Sequence, residues 1–221
     1  MELGFRLFGL PVRVSLFFLL VAVIIRPDTA RGSPALIAAW VVVMFLGVLL
    51  HEMAHALTAR AFGQQPAILL HGFGGVTYWL PRGEVGAGRR LLISAAGPAV
   101  GIVVGGVLLG LQRSFAQPGA PAHAILDLMV QVNLWWAILN LLPMLPLDGG
   151  QVLASFLELL GLRNGRRVVH WLSLVTAGLL VAVSVAFLYV FGIVIGGLMA
   201  YSNWVALRPA APGPPEAPPS V

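Results

Sequence analysis

Long apolar segments alternate along the chain with short stretches that hold almost all of its arginines. The pattern predicts about six membrane helices, at residues 12–25, 35–62, 89–111, 123–142, 168–190 and 191–207. The second is the plainest, because no charge interrupts the chain between Arg31 and Glu52. The last two run together: residues 171–204 are nearly unbroken apolar sequence, and a turn or kink is expected at Gly192, Gly196 and Gly197. Residues 161–167 set off a short helix after Asp148 from the fifth span.

Between the second and third spans, residues 67–80 are too few to cross a membrane and too apolar for an ordinary loop. Gly72, Gly74 and Gly75 interrupt a helix there, whereas Ile68, Val76, Thr77, Tyr78 and Trp79 favour extended backbone. A β-hairpin or re-entrant ribbon is predicted. Such backbone lies at membrane depth only where protein or a water-filled cavity supplies its hydrogen bonds. In the third span Gly97, Gly101 and Gly105 form a face for close helix packing, and Pro98 kinks the helix or relaxes its ladder. The expected fold class is an all-α polytopic membrane protein with one short membrane-associated β-ribbon. Residues 1–208 form a single transmembrane domain in this reading, and the proline-rich residues 209–221 a disordered tail.

Composition agrees with the spans: hydrophobic residues make up 59% of the 221 and charged residues only 10%. All 13 basic residues are arginine, giving a net charge of +5. They sit in short loops, where they report topology rather than a nucleic-acid surface. Arg6, Arg13, Arg60, Arg82, Arg89, Arg90, Arg163, Arg166, Arg167 and Arg208 fall on one side of the predicted spans; Arg26, Arg31 and Arg113 fall on the other. The richer side, with both ends of the chain, is expected to be cytoplasmic. The apolar run that follows Arg13 has no small-residue cleavage site after it and is read as an uncleaved first span. Cysteine is absent, which removes thiol nucleophiles and thiolate ligands.

Ionisable groups inside apolar sequence mark function. His51-Glu52-Met53-Ala54-His55 lies in the last third of the second span. Histidines at i and i+4 share a helix face and can reach one metal ion, with the intervening Glu52 beside it. Two imidazoles leave a tetrahedral zinc short of one protein ligand and a water. Of the eight acidic residues, Asp148 is the candidate: it sits in Asn140-Leu-Leu-Pro-Met-Leu-Pro-Leu-Asp-Gly-Gly150, where two prolines and two glycines break an apolar run. His51, His55 and Asp148 would make a His₂-carboxylate site with one open position. Asn140 is either an interhelical hydrogen bonder or a substrate contact. His71 and Asn133 are read first as structural groups, and His123, His170 and Asp127 as boundary residues.

The paired motifs resemble the site-2 protease family of intramembrane zinc metalloproteases. The similarity extends over residues 9–151, with Gly9-Leu10-Pro11-Val12, the glycine-rich ribbon and Ala95-Ala96-Gly97-Pro98 as weaker matches. One departure is Gly101, where many members carry an asparagine. The resemblance implies one Zn²⁺ per chain held by His51, His55 and Asp148, with Glu52 as catalytic base. It also implies that the Asn140 amide holds the substrate carbonyl or oxyanion. The expected substrate is the transmembrane helix of another protein, cut in or near the bilayer of a bacterial or archaeal cell membrane. A helical substrate must unwind locally, and the ribbon at Gly72, Phe73, Gly74 and Gly75 could receive it as an added strand. The rival reading is a metal transporter or channel using the His pair as a transit site, but no internal repeat is visible and transit has no need of Glu52.

Overall fold

The computed structural model describes residues 2–30, 33–80 and 84–208; the tail expected at 209–221 lies outside the described residues. Strands β1 (Glu2–Leu7) and β2 (Leu10–Ser15) open the fold as an antiparallel hairpin. Phe8 and Gly9 join them, both at positive φ, 49° and 79°. Two left-handed residues in succession give the tight turn whose twist suits a hairpin.

This corrects the first expected span. Leu10, Val12 and Val14 are buried while Pro11 and Arg13 are exposed, the period-two pattern of a strand. The helix that follows, α1 (Leu16–Ile24), has 9 residues. It is roughly 13 Å long, against about 30 Å of hydrocarbon. Ser15 caps it, its hydroxyl accepting from the Phe17 N–H at 3.2 Å.

Helix α2 (Pro34–Ala61) starts on a Ser33 cap with Pro34 in its first turn. The Trp40 indole N–H donates to the Ala22 carbonyl at 2.7 Å, tying α2 to α1. Strands β3 (Gln65–His71) and β4 (Gly74–Leu80) then form an antiparallel hairpin around Gly72 and Phe73. Because β3 also pairs in parallel with β2, the ribbon is half of a four-stranded sheet ordered β1-β2-β3-β4, and the all-α expectation is corrected. A parallel pair needs a long crossover, supplied here by α1 and α2. One sheet face, with Val12, Ile68 and Leu70, packs on Val48, Met53 and Ala56 of α2. The opposite end of the sheet order leaves β4 as an open edge.

The remaining chain is helical. Helix α3 (Ala87–Phe115) is followed by α4 (Pro121–Val130), a π-helical turn at Gln131–Trp135, and α5 (Trp136–Asn140). Then come α6 (Asp148–Leu159), α7 (Gly165–Ala186) and α8 (Val190–Leu207). Among the described residues five helical stretches are long and apolar enough to cross a membrane: α2, α3, the continuous Pro121–Asn140, α7 and α8. Val103, Val107, Leu179 and Val183 are each more than half exposed, an apolar exterior suited to lipid. The protein is a membrane protein.

The turn between the last two helices falls at residues 187–189, with Leu188 at φ 54°, and not at the glycines. Gly192 and Gly196 lie inside α8 and admit α7: a Cβ on Gly196 would meet the Val181 side chain at 2.8 Å. Gly101 and Gly105 similarly admit Ala137 and Leu134.

Candidate metal centre

The last turns of α2 carry His51, Glu52 and His55 inward, all buried. Asp148 opens α6 just after the proline-broken loop at residues 141–147. The glycines after it let that loop fold back on the helix start: a Cβ on Gly150 would lie 2.6 Å from the Leu145 nitrogen. From there the carboxylate reaches both imidazoles. His51 Nε2 lies 2.9 Å from Asp148 Oδ2, His55 Nε2 lies 3.3 Å from the same oxygen, and the two Nε2 atoms are 3.1 Å apart.

That triangle fits a metal. Bonds of 2.0–2.1 Å around a tetrahedral zinc place neighbouring donors roughly 3.3 Å apart, close to all three measured separations. The donor atoms of His51, His55 and Asp148 all lie within 4.8 Å of one another, close enough to hold a metal ion together. The ring of His55 is fixed from behind, since Nδ1 donates to the Ile93 carbonyl at 2.6 Å and leaves Nε2 free to coordinate. Space in front is kept by Gly97 of α3, where a Cβ would stand 2.7 Å from His51 Nε2 and nearer still to His55 Nε2.

Glu52 turns from the metal donors toward β4. Thr77 Oγ1 lies 2.7 Å from Glu52 Oε2 and 3.0 Å from the Glu52 carbonyl, so its one proton holds the carboxylate or the backbone at that point. Gly75 leaves the other oxygen open, for a Cβ there would lie 2.6 Å from Glu52 Oε1. Gly75 and Thr77 share a face of β4, two residues apart, and pair with Leu70 and Ile68.

A cavity of about 790 Å³ contains the whole constellation. Every residue expected from the sequence lines it: His51, Glu52, His55, Asp148, Asn140 and the Gly72 to Gly75 turn. Asn140 donates its amide to the Trp136 carbonyl at 3.0 Å. Phe73 stacks edge-on to Phe17 at a centroid distance of 6.3 Å. His71 lines the same cavity and accepts from the Phe73 N–H at 3.2 Å. Asn133 is buried in the π turn, and its amide donates to the Met129 carbonyl at 2.9 Å within the same helix.

Two residues at the centre escape a reading of the sequence. Gly97 passes for a helix-packing glycine, one of three on its face, although its space belongs to the histidines. Thr77 passes for a strand former, and its only signal is a hydroxyl in an otherwise apolar ribbon.

Comparison with known proteins gives the setting. Residues 114–185 match the model of peptidase family M50. A zinc metalloprotease of Methanocaldococcus jannaschii is 29% identical over 70% of this chain and 44% of its own length. A candidate zinc metalloprotease of Synechocystis is 36% identical over 67% of this chain and 42% of its own. The chain thus spans less than half the length of these relatives. Among solved structures, a site-2 protease from Methanocaldococcus jannaschii superposes with a TM-score of 0.67 at 23% identity, over 96% of this chain and 97% of that one.

Proposed function

The chain belongs to the site-2 protease family of intramembrane zinc metalloproteases, and from that premise we propose that it is a zinc endopeptidase that cuts a membrane protein in or near its transmembrane segment. The observation that carries this reading is the convergence of His51, His55 and Asp148 on one point, with Glu52 beside it and the open edge of β4 along the same cavity.

His51, His55 and Asp148 would hold one Zn²⁺ per chain. When bound, zinc supplies a Lewis acid that polarises the scissile carbonyl and brings the pKa of water toward about 7. Glu52 takes a proton from the attacking water at Oε1, while Thr77 steadies Oε2. Glu52 then returns the proton to the leaving nitrogen as the C–N bond breaks. The unwound substrate lies as a fifth strand on β4, with Gly74 and Gly75 giving its backbone close access and Phe73 at the rim. Asn140 receives the carbonyl of the scissile bond or its oxyanion.

Residues 2–208 act as one membrane-embedded unit in the cell membrane, solvated by lipid, with residues 2 and 208 on the cytoplasmic side. The test compares wild type, Glu52→Gln and His51→Ala, purified and reconstituted with a transmembrane reporter substrate. Wild type should hold zinc and cleave; Glu52→Gln should hold zinc without cleaving; His51→Ala should do neither. Cleavage by Glu52→Gln at the wild-type rate, or zinc retained by His51→Ala, would overturn the reading.

A further inference from the structure

The loop that delivers Asp148 is gripped from outside the motif. Leu145 is buried, and both of its backbone polar groups are bonded to α7 and α8, helices that supply none of the three grouped donors. Its N–H donates to Ser173 Oγ of α7 at 2.8 Å. Its carbonyl accepts from Asn203 Nδ2 of α8 at 2.7 Å. Ser173 and Asn203 are themselves sealed from solvent, at 0% and 2% exposure.

Each gripping side chain is fixed in turn. The Ser173 hydroxyl donates its own proton to the Val169 carbonyl at 2.7 Å, so its lone pair is aimed at Leu145. Asn203 Oδ1 lies 2.8 Å from His170 Nδ1, and since an amide oxygen only accepts, His170 is the donor. That contact settles which end of the amide faces Leu145. On its other side Leu145 abuts Gly150, leaving no room to shift.

We propose that Ser173 and Asn203 are positioning residues for the third metal ligand: they lock Leu145, and through Pro146 and Leu147 they hold the Asp148 carboxylate at His51 and His55. This rests on the zinc-protease reading above. Pro143 and Pro146 carry no N–H, so the loop has no regular backbone ladder of its own to set where Asp148 stands. A carboxylate displaced by an ångström loses a metal bond whose length tolerates about 0.2 Å. Groups one step removed from a ligand typically govern metal affinity by 10-fold to 100-fold.

The test uses the full chain in detergent and the metal alone. Zinc affinity is measured by competition with a chelator, and the visible spectrum of the Co²⁺-loaded protein reports the ligand set. The variants are Ser173→Ala, Asn203→Leu and the conservative Ser173→Thr, with Asp148→Ala as the benchmark for a lost third ligand. Val181→Ala loosens the packing of α7 on Gly196 of α8, away from Leu145, without removing either hydrogen bond and serves as the packing control.

Ser173→Ala and Asn203→Leu should bind zinc at least about tenfold more weakly. Their Co²⁺ spectra should move toward that of Asp148→Ala. Ser173→Thr should restore most of the affinity, and Val181→Ala should lower the metal-free melting temperature while keeping wild-type affinity and spectrum. Wild-type affinity and spectrum in both clamp variants would overturn the proposal and leave the metal site standing. So would a loss in Val181→Ala equal to theirs, which would make the effect one of general stability. Zinc binding by wild type that His51→Ala does not weaken would instead sink the underlying protease reading.

Discussion

Gly97 of α3 faces the two histidines of α2 so closely that a Cβ on it would sit 2.7 Å from His51 Nε2, in the space between the metal donors. Alanine favours a helix interior over glycine by about 1 kcal/mol. In Gly97→Ala that gain is offset by the crowded imidazoles, so the metal-free protein should still fold cooperatively while its zinc content falls by at least about tenfold at limiting metal. Metal analysis after gel filtration, beside a melting curve of the stripped protein, checks both halves. Full zinc occupancy in Gly97→Ala would return this glycine to helix packing.

In the proposed mechanism Thr77 bears on the reaction and not on the metal. Its hydroxyl is 2.7 Å from Glu52 Oε2, and valine would replace it at nearly equal volume without the donor. A hydrogen bond to a charged group is worth about 1.5–3 kcal/mol, or roughly tenfold to a hundredfold in rate. Thr77→Val should lower kcat by that much with KM and zinc content near wild type, and Thr77→Ser should recover activity. Steady-state cleavage of a transmembrane reporter separates these constants. An unchanged kcat in Thr77→Val would remove Thr77 from the machinery.

Legibility followed chemistry more closely than geometry. His51, Glu52 and His55 stand out because apolar sequence gives such groups no reason to be there, and Asp148 because prolines and glycines free it from a regular helix. Strand β2 was masked by its neighbour: Leu10, Val12 and Val14 alternate with polar or exposed positions, yet the apolar run of α1 follows without a break. The turn at 187–189 carries neither glycine nor proline, and Leu188 takes a left-handed conformation that its residue type does not advertise. The π turn at Gln131–Trp135 leaves no compositional trace. Ser173 and Asn203 are ordinary helix residues until the loop at Leu145 is folded against them.

The arginine distribution predicts an orientation that can be read directly. Arg60 at the end of α2 donates to the Phe8 carbonyl, and Arg90 at the start of α3 pairs with Glu158 at the end of α6. These contacts gather basic residues at one end of the helices. With no native cysteine, single-cysteine variants at Leu162 and Phe187, both exposed, label cleanly. Leu162→Cys should react only when the cytoplasmic face is opened, and Phe187→Cys from outside in intact cells. The opposite pattern would invert the protein in the membrane.

Strand addition on β4 is best tested from the substrate. A proline in the ribbon is an unclean probe at Gly75, because any Cβ there crowds Glu52 Oε1 at 2.6 Å and disturbs the base together with the edge. Replacing single backbone amides of a synthetic transmembrane substrate by esters or N-methyl amides removes one donor at a time and leaves the enzyme intact. A paired strand directs alternate N–H groups to its partner, so sensitivity should recur with a period of two around the scissile bond. Each sensitive position should cost about 0.5–1.5 kcal/mol, a several-fold fall in kcat/KM. Glycine placed nearby in the substrate helix should have the opposite effect, lowering the cost of unwinding by about 1 kcal/mol per residue and raising cleavage accordingly. A flat response along the backbone, together with indifference to substrate helicity, would show that the substrate reaches Glu52 without pairing to β4.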